Sequence, residues 1–145
     1  MVEVIRKFAP ELSKAVSIAD VGDKSAVLQA VRYTCKHKGI KTIGIRDEAK
    51  TESEQDLMFA YPSEVAPERE VFMNEFVSNF LQQQYRINFA EIAKTTSDHH
   101  DYSNKIAQQC DVSADAIEVQ CIQVYITHQE STKFLPLINQ IKKYC

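Results

Sequence analysis

The chain has 145 residues, of which 44% are hydrophobic and 26% charged, with only three Gly and four Pro. That is enough apolar material for one sizeable core and too little Gly and Pro for long flexible linkers. No apolar run approaches the roughly 18 residues of a membrane span, and Glu3, Arg6 and Lys7 lie where a signal peptide would be apolar, so a cytoplasmic protein with no membrane partner is expected.

In chain order, Val4, Ile5, Phe8, Leu12, Ala15, Val16 and Ile18 have the spacing of one or two short helices, interrupted or restarted at Pro10. Asp23 suits the N-cap of a second helix, which carries Val27, Ala30, Val31, Thr34 and Cys35 inward and ends at Gly39. A basic cluster follows from its last turns: Arg32, Lys36, His37, Lys38 and Lys41. Cations there complement a helix C-terminus, and Arg32, Lys36, Lys38 and Lys41 are also the candidate anion or nucleic-acid contacts.

Ile40 to Arg46 and Leu57 to Tyr61 read as two strands, the second stopped by Pro62. Between them Asp47 to Asp56 holds five acids and is too polar to be buried, so an antiparallel pair with a long tip is expected. Net charge is −3, but residues 47 to 75 hold two Lys/Arg against nine Asp/Glu, while residues 1 to 46 hold nine against four. This acidic block is either a solvated loop or the face that meets a basic partner. Glu48, Glu52 and Glu54 are its candidate partner-binding residues.

From Ala66 to Tyr85, Phe72, Phe76 and Phe80 recur every four residues, with Met73, Val77 and Leu81 one position later. This predicts a long central helix with Pro67 in its first turn and a broad apolar stripe that needs a covering surface. Ile87, Phe89 and Ile92 fit either a strand or a helix, and a short helix fits Tyr102 to Cys110, with Ser103 as its cap. Residues 106 to 113, read on to Ile117, have helix-turn-helix spacing, but the second helix would present Asp115 and Glu118 to phosphate.

Ala116 to His128 reads as the strongest strand, alternating through Ile117, Val119 and Cys121 and then, with flipped phase, through Ile122, Val124 and Ile126. A bulge or a two-sided cover would explain the flip. A last helix, capped by Ser131, runs through Tyr144 with Phe134, Leu135, Ile138 and Ile141 inward, and Pro136 lies too deep for its first turn, so the helix begins nearer Phe134 or is kinked. Together these elements predict one α+β domain over 1–145, with helices packed on a small, mainly antiparallel sheet that includes 40–46, 57–61 and 116–127.

Chemistry-bearing patterns are sparse. Cys35, Cys110, Cys121 and Cys145 are widely spaced and without a C-x-x-C pair, so free thiols are expected. Asp98-His99-His100-Asp101 holds metal-ligating residue types. Neighbouring side chains usually point apart, however, and two more ligands would have to come from elsewhere, so a metal-free polar loop is expected. Asp101 stands where the pterin carbinolamine dehydratases carry a proline after His-His. The aspartate-rich motif that accompanies Asp-His-His in the DHH phosphoesterases is also missing, so neither family is assigned. Phosphate loops, nucleophile elbows and His-Glu-x-x-His helices are absent from the sequence.

With no catalytic residues, cofactor or metal singled out, the expected function is a non-enzymatic adaptor, chaperone or regulator that binds another protein or a second copy of itself. A nucleic-acid-binding regulator using the basic cluster, and a small enzyme or metalloprotein using His99 and His100, are the alternatives.

Overall fold

Helices carry this chain, and the sheet is vestigial. The computed structural model describes residues 1–22, 24–38, 40–47 and 53–145. Among them are eight α-helices: α1 Val2–Phe8, α2 Lys24–Tyr33, α3 Pro67–Phe72, α4 Glu75–Tyr85, α5 Phe89–Thr95, α6 Tyr102–Ala107, α7 Ala114–Thr127 and α8 Ser131–Lys143. Two three-residue strands, β1 Gly44–Arg46 and β2 Met58–Ala60, make the one sheet among the described residues. No described helix is long and apolar enough to cross a membrane.

The expected architecture of helices on an antiparallel sheet is therefore wrong, and its main error lies at 116–127. That stretch is α7, with Ile117, Cys121 and Tyr125 buried at four-residue intervals and Val119 half in solvent. The phase flip between Cys121 and Ile122 is the helical stripe itself, read against the wrong period. Ser113 starts the helix by accepting the Ala116 N–H at 3.3 Å. β-Branched residues weaken a helix by only tenths of a kcal/mol each, about 0.5, so burying one apolar face overrides their preference for a strand.

The strand pair is also corrected. Gly44, Ile45 and Arg46 pair with Met58, Phe59 and Ala60 in parallel register. Before β2 the chain doubles back on itself: Ser53 and Met58 exchange backbone hydrogen bonds at 2.9 Å, and Leu57 adopts a left-handed φ of 56°. That extra reversal brings β2 in alongside β1 pointing the same way. Gly44 is required there, because a Cβ would lie 2.8 Å from Val27 Cγ1 and press on the Met58 side chain.

The long central helix is split. Asn74 leaves the helix and accepts the Phe76 N–H at 3.0 Å, ending α3 and capping α4. Arg86 closes α4 in the left-handed conformation, φ 59°, with its N–H on the Gln82 carbonyl at 3.0 Å. Ser131 lies inside α8, whose cap is Glu130. Pro136 also lies inside α8, on its exposed side. The proposed cap Asp23 and stop Gly39 lie outside the described residues.

The chain divides into two compact units, residues 1–64 with 130–145, and residues 65–129. In the first, Phe134 is fully buried and stacks on Phe8 with ring centroids 5.4 Å apart, with Tyr61 on another side at 5.9 Å. Burial pushes the Tyr61 hydroxyl up to about 12. Lys142 pairs with Glu11 at 2.7 Å. In the second unit, α7 packs against α3, α4 and α6. Phe72, Phe89 and Tyr102 form an aromatic cluster with centroids 5.1 to 5.9 Å apart.

Candidate functional site

Residues 65–129 hold the features that point to function. Two hydrogen bonds lock α7 to its neighbours: the Tyr125 hydroxyl donates to Glu70 Oε1 at 2.7 Å, and the Tyr85 hydroxyl donates to Gln120 Oε1 at 2.6 Å. These bonds orient α3 and α4, so what the two helices leave uncovered is a consequence of the fold. Val71, Phe72, Val77 and Leu81 are buried, but Met73 is 65% exposed and Phe76 41% exposed. The Phe76 ring lies flat on the His128 imidazole, centroids 3.9 Å apart and planes 9° apart. His128 is held in turn by its Nδ1, 2.9 Å from the Val124 carbonyl oxygen.

A polar cluster forms elsewhere in the same unit. Asp98 accepts the His100 N–H at 3.0 Å and starts the tight turn His99–Asp101. In that turn the adjacent His99 and His100 rings lie side by side, centroids 4.2 Å apart. Both face Glu68, in the first turn of α3: His100 Nδ1 is 3.3 Å from Oε1 and His99 Nε2 is 4.0 Å from Oε2. One donor atom from each residue fits within a mutual separation of 4.8 Å. Glu118 on α7 adds to the negative field. Burial first, then the charges of Glu68 and Asp115, raise its carboxyl above the ordinary value.

Of the residues singled out from sequence, His99 and His100 belong to this cluster, while the basic residues and Glu54 lie in the other unit. Arg32 pairs with Asp56 at 2.9 Å, and this ion pair holds the Asp56 carboxyl below its usual range. Lys36 and Lys38 are exposed on a wide turn of π-helix, Thr34–Lys38, and Lys41 is exposed beyond it. Tyr33 is exposed and tilts against His37 at 4.9 Å. Glu54 lies 3.9 Å from Lys143, while Glu48 and Glu52 lie outside the described residues.

Sequence reasoning missed Glu68 as a neighbour of the histidines. Its only local signal is an acid after Pro67, which a helix start explains equally well. All four cysteines are free, and burial, with Glu118 nearby, pushes the Cys121 thiol up to about 12. No protein-family model, curated protein or solved structure matches the chain.

Proposed function

We propose that the protein works by binding another protein, and that the open apolar edge at Met73 and Phe76 is where the partner sits. The observation that carries this reading is the exposure of two large apolar side chains beside a stripe in which Phe72, Val77 and Leu81 are buried and Phe80 is half-buried. Phe76 is already held flat on His128, so docking would cost it little rotamer freedom.

Charge narrows the partner. Residues 65–129 hold four Lys/Arg against nine Asp/Glu, a net of −5, and Glu75 next to Phe76 is exposed. A basic segment with one or two apolar anchors complements that surface, and its encounter would be steered by charge. A second copy of this chain, offering exposed Lys36, Lys38 and Lys41, is the simplest such partner to test first.

The test is site-specific photo-crosslinking from position 73 in the full chain, with and without Phe76→Ser and across a salt series. The expected result is a crosslink to a basic sequence that weakens with salt and fades in the variant. A crosslinking pattern that neither salt nor Phe76→Ser changes would refute the reading. Nucleic-acid binding is measured in parallel with the quadruple Gln variant of Arg32, Lys36, Lys38 and Lys41. Binding that this variant abolishes, with no protein crosslink, would favour the nucleic-acid alternative.

A further inference from the structure

We propose that Glu68, His99 and His100 form a binding site for a divalent transition-metal ion of the zinc type. The inference stands apart from the protein-binding edge and rests on a different set of side chains.

Adjacent side chains usually diverge, so a His-His pair seldom offers two donors to one point. Here the tight turn His99–Asp101, started by the Asp98 cap, brings the two rings to a 4.2 Å centroid separation with 38° between their planes. His99 presents Nε2 and His100 presents Nδ1 to the two oxygens of one carboxylate. The use of opposite ring nitrogens lets neighbouring residues converge: one ring reaches with its far nitrogen, the other with its near one.

The three donor atoms lie within 4.8 Å of one another and would draw closer around a shared ion. Metal–nitrogen and metal–oxygen bonds of about 2.1 Å place neighbouring ligand atoms about 3.0 to 3.5 Å apart in tetrahedral or octahedral geometry. The His100–Glu68 pair already has that spacing at 3.3 Å. The His99–Glu68 pair at 4.0 Å needs only a small rotation of the Glu68 side chain, which is one-third exposed. Two imidazoles and one carboxylate form a donor set of intermediate hardness that selects zinc and its first-row neighbours over calcium or magnesium.

A single dication would engage all three groups at once. The surplus of five negative charges over residues 65–129 favours a cation there as well. His100 is 65% exposed, so the ion would keep solvent-facing positions for water or an incoming ligand. It would also tie α3 to the His99–Asp101 turn.

The experiment uses the full chain without a histidine tag, stripped with a chelator and titrated with Zn²⁺ by calorimetry and with Co²⁺ by visible absorption. The expected result is one ion per chain. Losing even an outer-shell partner of a metal site costs about tenfold or more in affinity, so Glu68→Gln, His99→Ala and His100→Ala should each weaken binding by at least that. His37→Ala and His128→Ala should leave it unchanged. Circular dichroism of each chelator-stripped variant checks its folding; if Glu68→Gln is misfolded, exposed His100→Ala decides in its place. The absence of stoichiometric binding, or binding that survives both Glu68→Gln and His100→Ala, overturns the proposal.

Discussion

Phe72 and Phe76 stand one helical turn apart in the sequence pattern but should respond very differently to truncation. Phe72 is 2% exposed and touches two rings, Phe89 at 5.7 Å and Tyr102 at 5.9 Å, so its removal leaves a cavity walled by aromatic side chains. A fully buried Phe→Ala change costs about 3 to 5 kcal/mol. Phe76 keeps 41% of its surface in water, so only part of the transfer energy of about 1.5 to 3 kcal/mol is at stake, and solvent fills the gap. Adding the lost contact with His128, Phe76→Ala should cost about 1 to 2 kcal/mol. Urea denaturation by circular dichroism measures the difference, and hydrogen exchange of peptides from 65–129 localises it. Equal costs for the two substitutions would mean that the edge is closed and would remove the basis of the protein-binding reading.

Val119→Asp tests α7 directly: as the centre of a buried strand it would unfold the protein, but at 51% exposure on a helix it should cost less than about 1 kcal/mol by thermal melting. Arg86→Gly should stabilise by about 0.5 to 1 kcal/mol, because the left-handed C-cap of α4 suits glycine; a loss of stability would refute that geometry. Glu118→Gln should raise the melting temperature near neutral pH. The raised folded-state pKa of Glu118 means that its ionisation destabilises the fold as pH climbs past the ordinary glutamate value, so the gain should vanish below about pH 4. In the native protein, Cys35 and Cys145 should be alkylated rapidly and Cys121 only on unfolding, with mass spectrometry reading the order; early labelling of Cys121 would contradict its burial.

Much of the helical content was legible because it depends on local periodicity. The apolar spacing through Phe72, Val77 and Leu81, the Pro67 start and the inward Phe134, Ile138 and Ile141 of α8 each belong to a single segment, whereas Leu135, read as inward with them, is exposed and Leu137 is buried instead. Even there, the break at Asn74 turned on whether one side chain would bond the Phe76 N–H, a local competition that the apolar stripe alone does not register.

What needed the tertiary structure was every decision that pits local preference against a distant surface. Residues 116–127 are β-branched enough to read as a strand, yet α3, α4 and α6 offer α7 a groove that fits Ile117, Cys121 and Tyr125 at helical spacing. The direction of β2 was decided by a backbone reversal at Ser53–Met58 whose hydrogen bonds leave no periodic trace. His99 and His100 stand 31 and 32 residues beyond Glu68 in the sequence, and no pattern within either segment records that they share a carboxylate. The convergence of those three side chains comes from packing, because burial of the Phe72, Phe89 and Tyr102 cluster draws α3 and the turn beside α6 together and leaves their polar groups facing one another.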